Sequence, residues 1–282
     1  MSRPATSPAE QLRRAIAGRV VALFNDASRG EAPVTRSEDS FFGKDSIAWR
    51  VHGDVTSMMV GGMASLMLQM LRPAVLAGVW DHSNFRADMH GRLRRTARFI
   101  ATTTYGERTH AEAAIERVRR IHDHVDGVLP DGTPYRANDP AALAWVHVTE
   151  TTSFLAAWRR YGDRSMSRAD ADRYIAEMAS IGRALGADPV PRTVREAEMM
   201  IDALRGAAKS DDRTRTVLDL ILADVDDDPR LRPAVALIRA AAIDLLPGWA
   251  RRMHGLSAPV AKRPLVRGGT MALAETIRWS FR

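Results

Sequence analysis

Apolar residues recur along most of this chain at spacings of three and four positions, the period of an amphipathic α-helix. No segment alternates apolar and polar residues over the length of a typical β-strand. Short stretches rich in Gly, Pro, Ser and Asp, which favour turns, separate the periodic segments. The pattern predicts an all-α protein, with a single bundle of about ten helices over residues 11–282. Residues 1–10 are polar and contain proline, and we expect them to form a disordered leader.

The most apolar stretch runs from Val55 to Leu71, seventeen residues without a charge, and Asp54 is placed to cap it as a helix. A second apolar run follows, but Arg72 and Pro73 separate it from the first run. A membrane-spanning helix needs roughly 20 consecutive apolar residues. We therefore predict two buried helices that meet at Pro73 and no spanning segment, while association with a membrane surface stays open.

Composition narrows the chemistry that the chain can perform. The absence of cysteine excludes disulfides, thiolate-ligated haem, iron–sulfur clusters and cysteine nucleophiles. The net charge is +7, but its arginines mostly alternate with Asp and Glu along predicted helices, so we expect no nucleic-acid partner. The sequence contains neither a Gly-rich phosphate loop nor a G-x-S-x-G motif, which argues against nucleotide-binding and common hydrolase classes. No secretory signal is evident, and we expect a cytoplasmic protein.

The segment EAAIERVRRIHDHVDG, residues 112–127, predicts a helix that places a histidine among apolar residues. The apolar stripe of this helix consists of Ile115, Val118, His122 and Val125. His122 therefore points inward, whereas His124 is rotated by about 200° toward the charged side. An inward-facing histidine is more often a satisfied core residue than a ligand. Periodicity alone leaves both interpretations open.

A second predicted helix carries Asp88, Arg92 and Thr96 at spacings of four, with Arg95 beside that face. One interpretation is a surface Asp–Arg pair that contributes a few tenths of a kcal/mol. The other is a pocket wall, in which Arg92 holds a carboxylate or stabilises an oxygen intermediate. The spacing does not distinguish the two interpretations.

His147 and Glu150 share the inner face of the helix predicted to begin at Pro140. Buried polar groups need partners, so the two form a structural hydrogen bond, support a ligand from behind, or act as ligands themselves. Together with His122 they would suit a non-haem metal site with two histidines and one carboxylate. The residue spacings typical of such sites are missing.

Several short motifs occur in a recognisable order. They are WRVHGD at 49–54, SLMLQMLRPAVLAGVWDHS at 65–83, RLRRT at 92–96, RVRRIHDHVDGVLPDGTPYRANDP at 117–140 and WVH at 145–147. This series, spread over residues 41–161, resembles the family of haem-dependent oxygenases that includes latex clearing protein and the fungal oxygenase of the mycophenolic acid pathway.

The resemblance implies that the helices enclose a b-type haem and that His122 is the proximal ligand of its iron. Arg92 and Thr96 match the family's R-x-x-x-T motif, whose two polar residues lie near the haem. Arg95 stands where latex clearing protein has a distal lysine, and because arginine keeps its proton it is not expected to ligate iron. His147 matches the W-V-H motif and is expected to support the pocket. The catalytic residues implied are Arg92, Arg95 and Thr96.

The function implied by the resemblance is that of a haem b-dependent oxidoreductase, which activates O2 or a peroxide and acts on a small organic substrate. Two alternatives stay open. One is a non-catalytic helical protein that binds haem or another ligand. The other is a non-haem metal oxidase that uses His122, His147 and Glu150. The sequence identifies neither the substrate nor the oligomeric state.

Overall fold

The computed structural model describes residues 7–25, 30–223 and 229–282, and helices dominate these ranges. Thirteen α-helices are present among the described residues, which confirms the all-α prediction. They are α1 (Pro8–Phe24), α2 (Ile47–His52), α3 (Val55–Gln69), α4 (Pro73–His82), α5 (Met89–Tyr105), α6 (Arg108–His122), α7 (Pro140–Ala157), α8 (Arg168–Leu185), α9 (Val194–Leu204), α10 (Asp212–Leu222), α11 (Arg232–Leu245), α12 (Gly248–Met253) and α13 (Arg263–Ser280). A π-helical turn, Trp158–Gly162, continues α7, and the strands β1 (Asp126–Val128) and β2 (Pro134–Arg136) form one antiparallel hairpin.

Helix α3 packs extensively against α7 and α11. The crossing with α7 is close because Gly61 has no side chain. A Cβ atom at this position would lie 2.8 Å from Phe154 Cδ1 and 2.9 Å from the carbonyl oxygen of Ser153. The largest buried apolar cluster extends from this crossing through α4, α10 and α11, and it includes Val60, Met67, Leu71, Tyr161, Val217 and Ile238.

Side-chain caps start the two helices of this crossing, as the sequence predicts. Asp54 accepts a hydrogen bond from the Ser57 amide at 2.8 Å, and Asp139 accepts one from the Ala142 amide at 2.8 Å. Each carboxylate satisfies a backbone donor that has no partner within its own helix. Pro140 occupies the first turn of α7, where a missing N–H has no cost.

The apolar stretch after Asp54 forms two helices, α3 and α4, which meet at Arg72 and Pro73 as predicted. Within the described residues, no helix by itself is long and apolar enough to cross a membrane. Together, α3 and α4 meet that criterion by length and composition, but the two helices are bent by 102° relative to each other.

The C-terminal part of the chain differs from the prediction in two places. The apolar periodicity of residues 231–253 predicts one helix, but the structure has two, α11 and α12, because Pro247 has no N–H to continue the hydrogen-bond ladder. The Gly-containing segment over residues 255–269 predicts a linker and a final helix from about Thr270, but α13 begins at Arg263, so Gly269 lies inside it. A Cβ atom at Gly269 would be 3.2 Å from Leu237 Cδ2. This glycine therefore permits close approach of α13 to α11 and does not end a helix.

Two helix ends near the candidate site also differ from the prediction. Helix α6 ends at His122 and does not continue to Gly127, because the chain turns into the β1–β2 hairpin. The sequence favours Ser83 as the N-cap of the next helix, but α5 begins at Met89 with Asp88 as its N-cap. At the N-terminus, residues 1–6 of the predicted disordered leader lie outside the described residues, and the chain is helical from Pro8.

The hairpin is attached to the end of α4 by two hydrogen bonds. The hydroxyl of Tyr135, in β2, donates a hydrogen bond to Asp81 Oδ2 at 2.6 Å. His82 Nε2 lies 2.9 Å from the carbonyl oxygen of Asp126. Gly127 pairs with Tyr135 across the hairpin, where a Cβ atom would lie 2.7 Å from the tyrosine oxygen. The segment after His122 is therefore held against α4.

We expect the substitution Gly61→Ala to destabilise the fold by about 1–3 kcal/mol, because the added methyl group meets the backbone of α7. Gly62→Ala is the matched control, since its Cβ would lie 3.6 Å from Phe154 Cε1, an ordinary contact. The better helix propensity of alanine should make that variant up to about 1 kcal/mol more stable. Urea unfolding followed by circular dichroism measures both changes, and equal midpoints for the two variants would contradict the close crossing.

Candidate active site

A mostly apolar cavity of about 50 Å³ lies between α3, α4, α5 and α10. Its lining consists of Leu66, Gln69, Met70, Val75, Leu76, Val79, Phe85, Met89, Arg92, Leu93, Val217 and Ile221. Arg92 is the single charged side chain among these described residues, and its Nη1 donates to Ser83 Oγ at 3.2 Å. Of the two interpretations that the spacing left open, the structure places Arg92 in the wall of this cavity.

The Arg92 guanidinium is largely withdrawn from water. Burial lowers its pKa, and the neighbouring charge of Arg95 lowers it further. An arginine nevertheless stays protonated at neutral pH. The cavity wall therefore carries a positive charge in apolar surroundings, where its field is screened less than in water.

His122 is the last residue of α6, and its Nδ1 is buried without a hydrogen-bond partner among the described residues. Burial is the main cause that lowers the pKa of His122, and the charge of Arg92 lowers it further. The Asn138 side chain, as a hydrogen-bonding neighbour, and the negative charge of Asp123 raise the pKa of His122. The ring is therefore neutral at pH 7, the form of histidine that binds metals. Arg92 thus lines the cavity and also lies close enough to His122 for its charge to affect the imidazole.

Asn138 lies beside the His122 ring and was not identified from the sequence. Its Nδ2 donates to Asp123 Oδ1 at 2.6 Å and to the Arg119 carbonyl at 3.2 Å. Its Oδ1 is buried and, in the part of the chain that the structure describes, has no partner. The position of Asn138 at the end of the RVRRIHDHVDGVLPDGTPYRANDP motif is the one sequence signal that pointed to it.

Arg95 and Thr96, the other two predicted catalytic residues, do not line the cavity in this structure. Arg95 is exposed and pairs with Asp88, Nη1 to Oδ2, at 3.2 Å. Thr96 is exposed as well, and its hydroxyl donates to the carbonyl oxygen of Arg92 at 3.2 Å. Asp88 caps α5 by accepting from the Gly91 amide at 2.8 Å. The catalytic roles of Arg95 and Thr96 stay predictions.

His147 faces the interior on α7, as its spacing predicts, but it is not part of the cavity lining. Its ring packs against Gly182 of α8, where a Cβ atom would be 3.0 Å from two ring carbons. Burial, together with the charge of Arg183, lowers the pKa of His147 to about 4. Its Nε2 is buried and unpartnered among the described residues. His147 is therefore buried between α7 and α8, and its lowered pKa keeps the ring neutral at pH 7.

Glu150, one helical turn beyond His147, has a pKa that burial raises to about 7. The structure does not gather it with the two histidines into a metal site. Within residues 7–25, 30–223 and 229–282, no three His, Asp or Glu side chains lie close enough together to hold a metal ion. The non-haem alternative based on His122, His147 and Glu150 therefore has no support from the geometry.

A buried polar network that the sequence did not reveal joins α2, α5 and α8. His52 Nδ1 lies 2.8 Å from Thr104 Oγ1, and His52 Nε2 lies 2.9 Å from Tyr174 Oη. Burial lowers the pKa of His52 to about 3, so its ring is neutral and has one donor and one acceptor nitrogen. Its partners are 52 and 122 residues away, which explains why no local pattern indicated this network.

Comparison with known protein families agrees with the fold and with the motif series. Residues 49–279 match the family described as "ER-bound oxygenase mpaB/B'/Rubber oxygenase, catalytic domain". Since this match covers well over half of the chain, the chain belongs to this family of oxygenases. The match includes the C-terminal helices, which gave no signal in the motif comparison. No curated protein and no solved structure shows a significant match.

We expect the free energy of unfolding to decrease between pH 6.5 and about 4, partly because His147 is held neutral. The unfolded chain binds a proton at this position near pH 6.5, whereas the folded chain does so only near pH 4. The stability that this residue contributes is thus present above pH 6.5 and is lost as the pH falls through this window. The size of the effect is up to about 3 kcal/mol.

Urea unfolding at several pH values tests this expectation. His147→Gln should show a shallower loss of stability between pH 6.5 and 4 than the unsubstituted chain. His124→Gln, which removes an exposed histidine, serves as the control and should keep the original slope. A steep slope that persists in His147→Gln would show that other groups cause the acid sensitivity.

Proposed function

We propose that this chain is a haem b-dependent oxygenase in which His122 is the proximal iron ligand. The observation that carries the proposal is the pairing of a neutral histidine, whose Nδ1 is buried without a partner in the described ranges, with Arg92 at an apolar cavity. Membership of an oxygenase family supports the reaction class. The haem and its ligation are our inference from these residues together with the motif resemblance.

The residues present fit a haem in their chemistry. A porphyrin supplies four ligands of its own, so one imidazole suffices, and three converging protein ligands are not required. The macrocycle needs apolar walls, which Leu76, Phe85, Leu93 and their neighbours provide. A porphyrin is larger than the cavity of about 50 Å³, so binding requires the lining to move apart. Met70 and Met89 suit this adjustment, because methionine is unbranched and flexible.

Bound haem would supply O2 or peroxide activation and the redox chemistry. The chain would supply the electrostatic environment through Arg92. Ser83 accepts a hydrogen bond from Nη1, which fixes the guanidinium while other N–H groups of its five stay available to the cavity. A preorganised charge in apolar surroundings stabilises negative charge that develops during the reaction.

Asn138 is proposed to orient the proximal ligand. Metal-ligating histidines usually donate the N–H of the second ring nitrogen to a neighbouring oxygen, which fixes the tautomer. His122 Nδ1 and Asn138 Oδ1 are both buried and have no other partner among the described residues, and Asn138 raises the pKa of His122 as a hydrogen-bonding neighbour. The two groups are therefore placed for this bond. It would leave His122 Nε2 deprotonated for the metal.

The cavity also limits the class of substrate. Gln69 and Arg92 are the polar side chains in its lining as described, and the other residues are apolar. Sites of this composition bind mainly apolar compounds and orient them through a few polar groups. We propose a small apolar organic substrate that carries one polar or anionic group directed toward Arg92.

The ultraviolet–visible spectrum of the purified, haem-reconstituted chain tests the ligand assignment. We expect an intense Soret band, which His122→Gly should lose and which added free imidazole should restore by taking the place of the missing ring. His124→Gly removes the exposed neighbouring histidine and should keep the band. A chain that takes up no haem, or an unchanged band in His122→Gly, would refute the proposal.

We expect Arg92→Gln to retain haem but to lower turnover about 10²–10³-fold, the usual effect of removing a preorganised charge. Peroxide-dependent oxidation of a chromogenic phenol provides the assay. Arg117→Gln, which changes an exposed arginine on α6, is the matched control and should keep wild-type turnover. Full turnover in Arg92→Gln would contradict the role of this residue.

The same assay compares the contributions to turnover of Arg92 and of Arg95, the second arginine implied by the motif resemblance. Because Arg95 is exposed and paired with Asp88, its substitution by Gln should lower turnover less than tenfold, about 1 kcal/mol of transition-state stabilisation. A loss in Arg95→Gln as large as that in Arg92→Gln would show that Arg95 enters the cavity in the haem-bound protein.

A further inference from the structure

Three arginines converge on one buried carboxylate outside the cavity lining. Arg160 Nη1 lies 3.1 Å from Asp244 Oδ2, Arg263 Nε lies 3.1 Å from Oδ1, and Arg267 Nε lies 2.8 Å from Oδ2. A fourth arginine, Arg251, donates to the Asp244 carbonyl oxygen at 3.3 Å. We refer to Arg160, Asp244, Arg263 and Arg267 as the Asp244 cluster.

The Asp244 cluster has a large excess of positive charge and of hydrogen-bond donors. Each guanidinium presents five N–H donors, whereas one carboxylate offers about four lone-pair positions. Two other largely buried carboxylates, Glu177 and Asp54, each pair with one arginine in the described structure, Arg173 and Arg278 respectively. Three guanidinium groups on Asp244 repel one another unless a further anion compensates their charge.

A buried hydroxyl provides an independent observation. Tyr161, in the π-helical turn, is 1% exposed, and its Oη has no hydrogen-bond partner among the described residues. Burial raises the pKa of Tyr161, whereas the neighbouring Arg160 guanidinium, by its charge and as a hydrogen-bond donor toward the hydroxyl oxygen, lowers it. Asp244 and Arg267 act on this pKa too, so the hydroxyl lies beside the cluster, and its own proton is left without an acceptor among the described residues. A buried polar atom without a partner carries a desolvation cost, and a bound group that accepts its proton removes that cost.

The N-terminus of α13 adds to this environment. Helix α13 begins at Arg263, directly after a 3-10 turn (Val260–Lys262) whose Val260 carbonyl accepts the Arg263 N–H. In the described structure no side chain caps α13, and no acidic residue lies in its first turn. The partial positive charge of a helix N-terminus favours an anion. Since Arg263 contacts Asp244 from this first turn, the helix end faces the same region as the cluster.

We propose that the Asp244 cluster and Tyr161 bind a phosphate group. A tetrahedral oxyanion has enough acceptor oxygens for several guanidinium forks and the tyrosine hydroxyl, and arginine pairs with phosphate in bidentate geometry. The side chains of Arg160, Arg263 and Arg267 are between 30% and 42% exposed, so a ligand from solution can reach them. These residues do not line the cavity beside Arg92, and the proposal is independent of haem.

Two kinds of molecule present such a phosphate group: a soluble phosphate compound and a phospholipid with its headgroup. The second source is relevant because Val260 and Leu265, on either side of Arg263 in sequence, are 72% and 78% exposed. Apolar side chains beside an arginine cluster suit a lipid surface that presents phosphate groups.

Thermal unfolding and calorimetry of the full chain with inorganic phosphate test the site. At constant pH and ionic strength, replacement of chloride by phosphate should raise the melting temperature saturably. Arg267→Gln should bind phosphate about tenfold more weakly, whereas Arg117→Gln, an equal charge change on exposed α6, should bind as the unsubstituted chain does. The proposal is overturned if chloride and phosphate have the same effect, or if the two arginine variants behave alike.

Tyr161→Phe keeps the shape of the buried ring and removes only the unpartnered hydroxyl. We expect about fivefold weaker phosphate binding but no loss of stability without phosphate, since the deleted group has no partner in the described structure. A purely structural hydroxyl would show the opposite pattern, with lower stability and unchanged binding, which would overturn the assignment of Tyr161.

Sedimentation with vesicles distinguishes the two sources. Vesicles of phosphatidylcholine alone are compared with vesicles that also contain phosphatidic acid. Binding to phosphatidic acid that is lost in Arg267→Gln identifies a lipid headgroup, and phosphate binding without vesicle binding identifies a soluble phosphate ligand. Absence of both would overturn the proposal.

Discussion

The fold depends on the close crossing of α3 and α7 at Gly61. Because no Cβ separates the helices there, Phe154 and the α7 backbone lie directly against α3. Helix α3 supplies one wall of the cavity, and α7 leads into the π-helical turn that carries Tyr161. One glycine therefore sets the relative position of two helices on which both the candidate active site and the Asp244 cluster rely.

Helical periodicity predicts much of this architecture, because amphipathic segments and their caps are local properties of the sequence. Asp54 and Asp139 cap the helices as expected, and the inward orientation of His122 and outward orientation of His124 agree with their spacing. The predicted start of the final helix, near Thr270, was wrong, since a glycine in a linker and one that permits close helix packing look alike until the neighbouring helix is known.

The chemistry of the candidate site was predictable only in part. Motifs pointed to Arg92 and His122, and in the structure the charge of Arg92 lowers the pKa of His122, so the two residues lie near each other. They also grouped Arg95 and Thr96 with Arg92, because residues three or four apart share one side of a helix. Which of these side chains enters the cavity depends on neighbours such as Ser83 and Asp88. Contacts across long sequence separations, including the His52 network, leave no trace in local spacing.

The attachment of the β1–β2 hairpin to α4 has a mechanical consequence. His122 ends the helix immediately before the hairpin, and Tyr135 and Asp126 tie the hairpin to Asp81 and His82. Helix α4 also forms one wall of the cavity. An outward displacement of α4 that makes room for a bulky ligand would also displace the β1–β2 hairpin. The imidazole of His122, which lies just before the hairpin, would move with it. Binding of a ligand in the cavity would therefore change the position of the His122 ring.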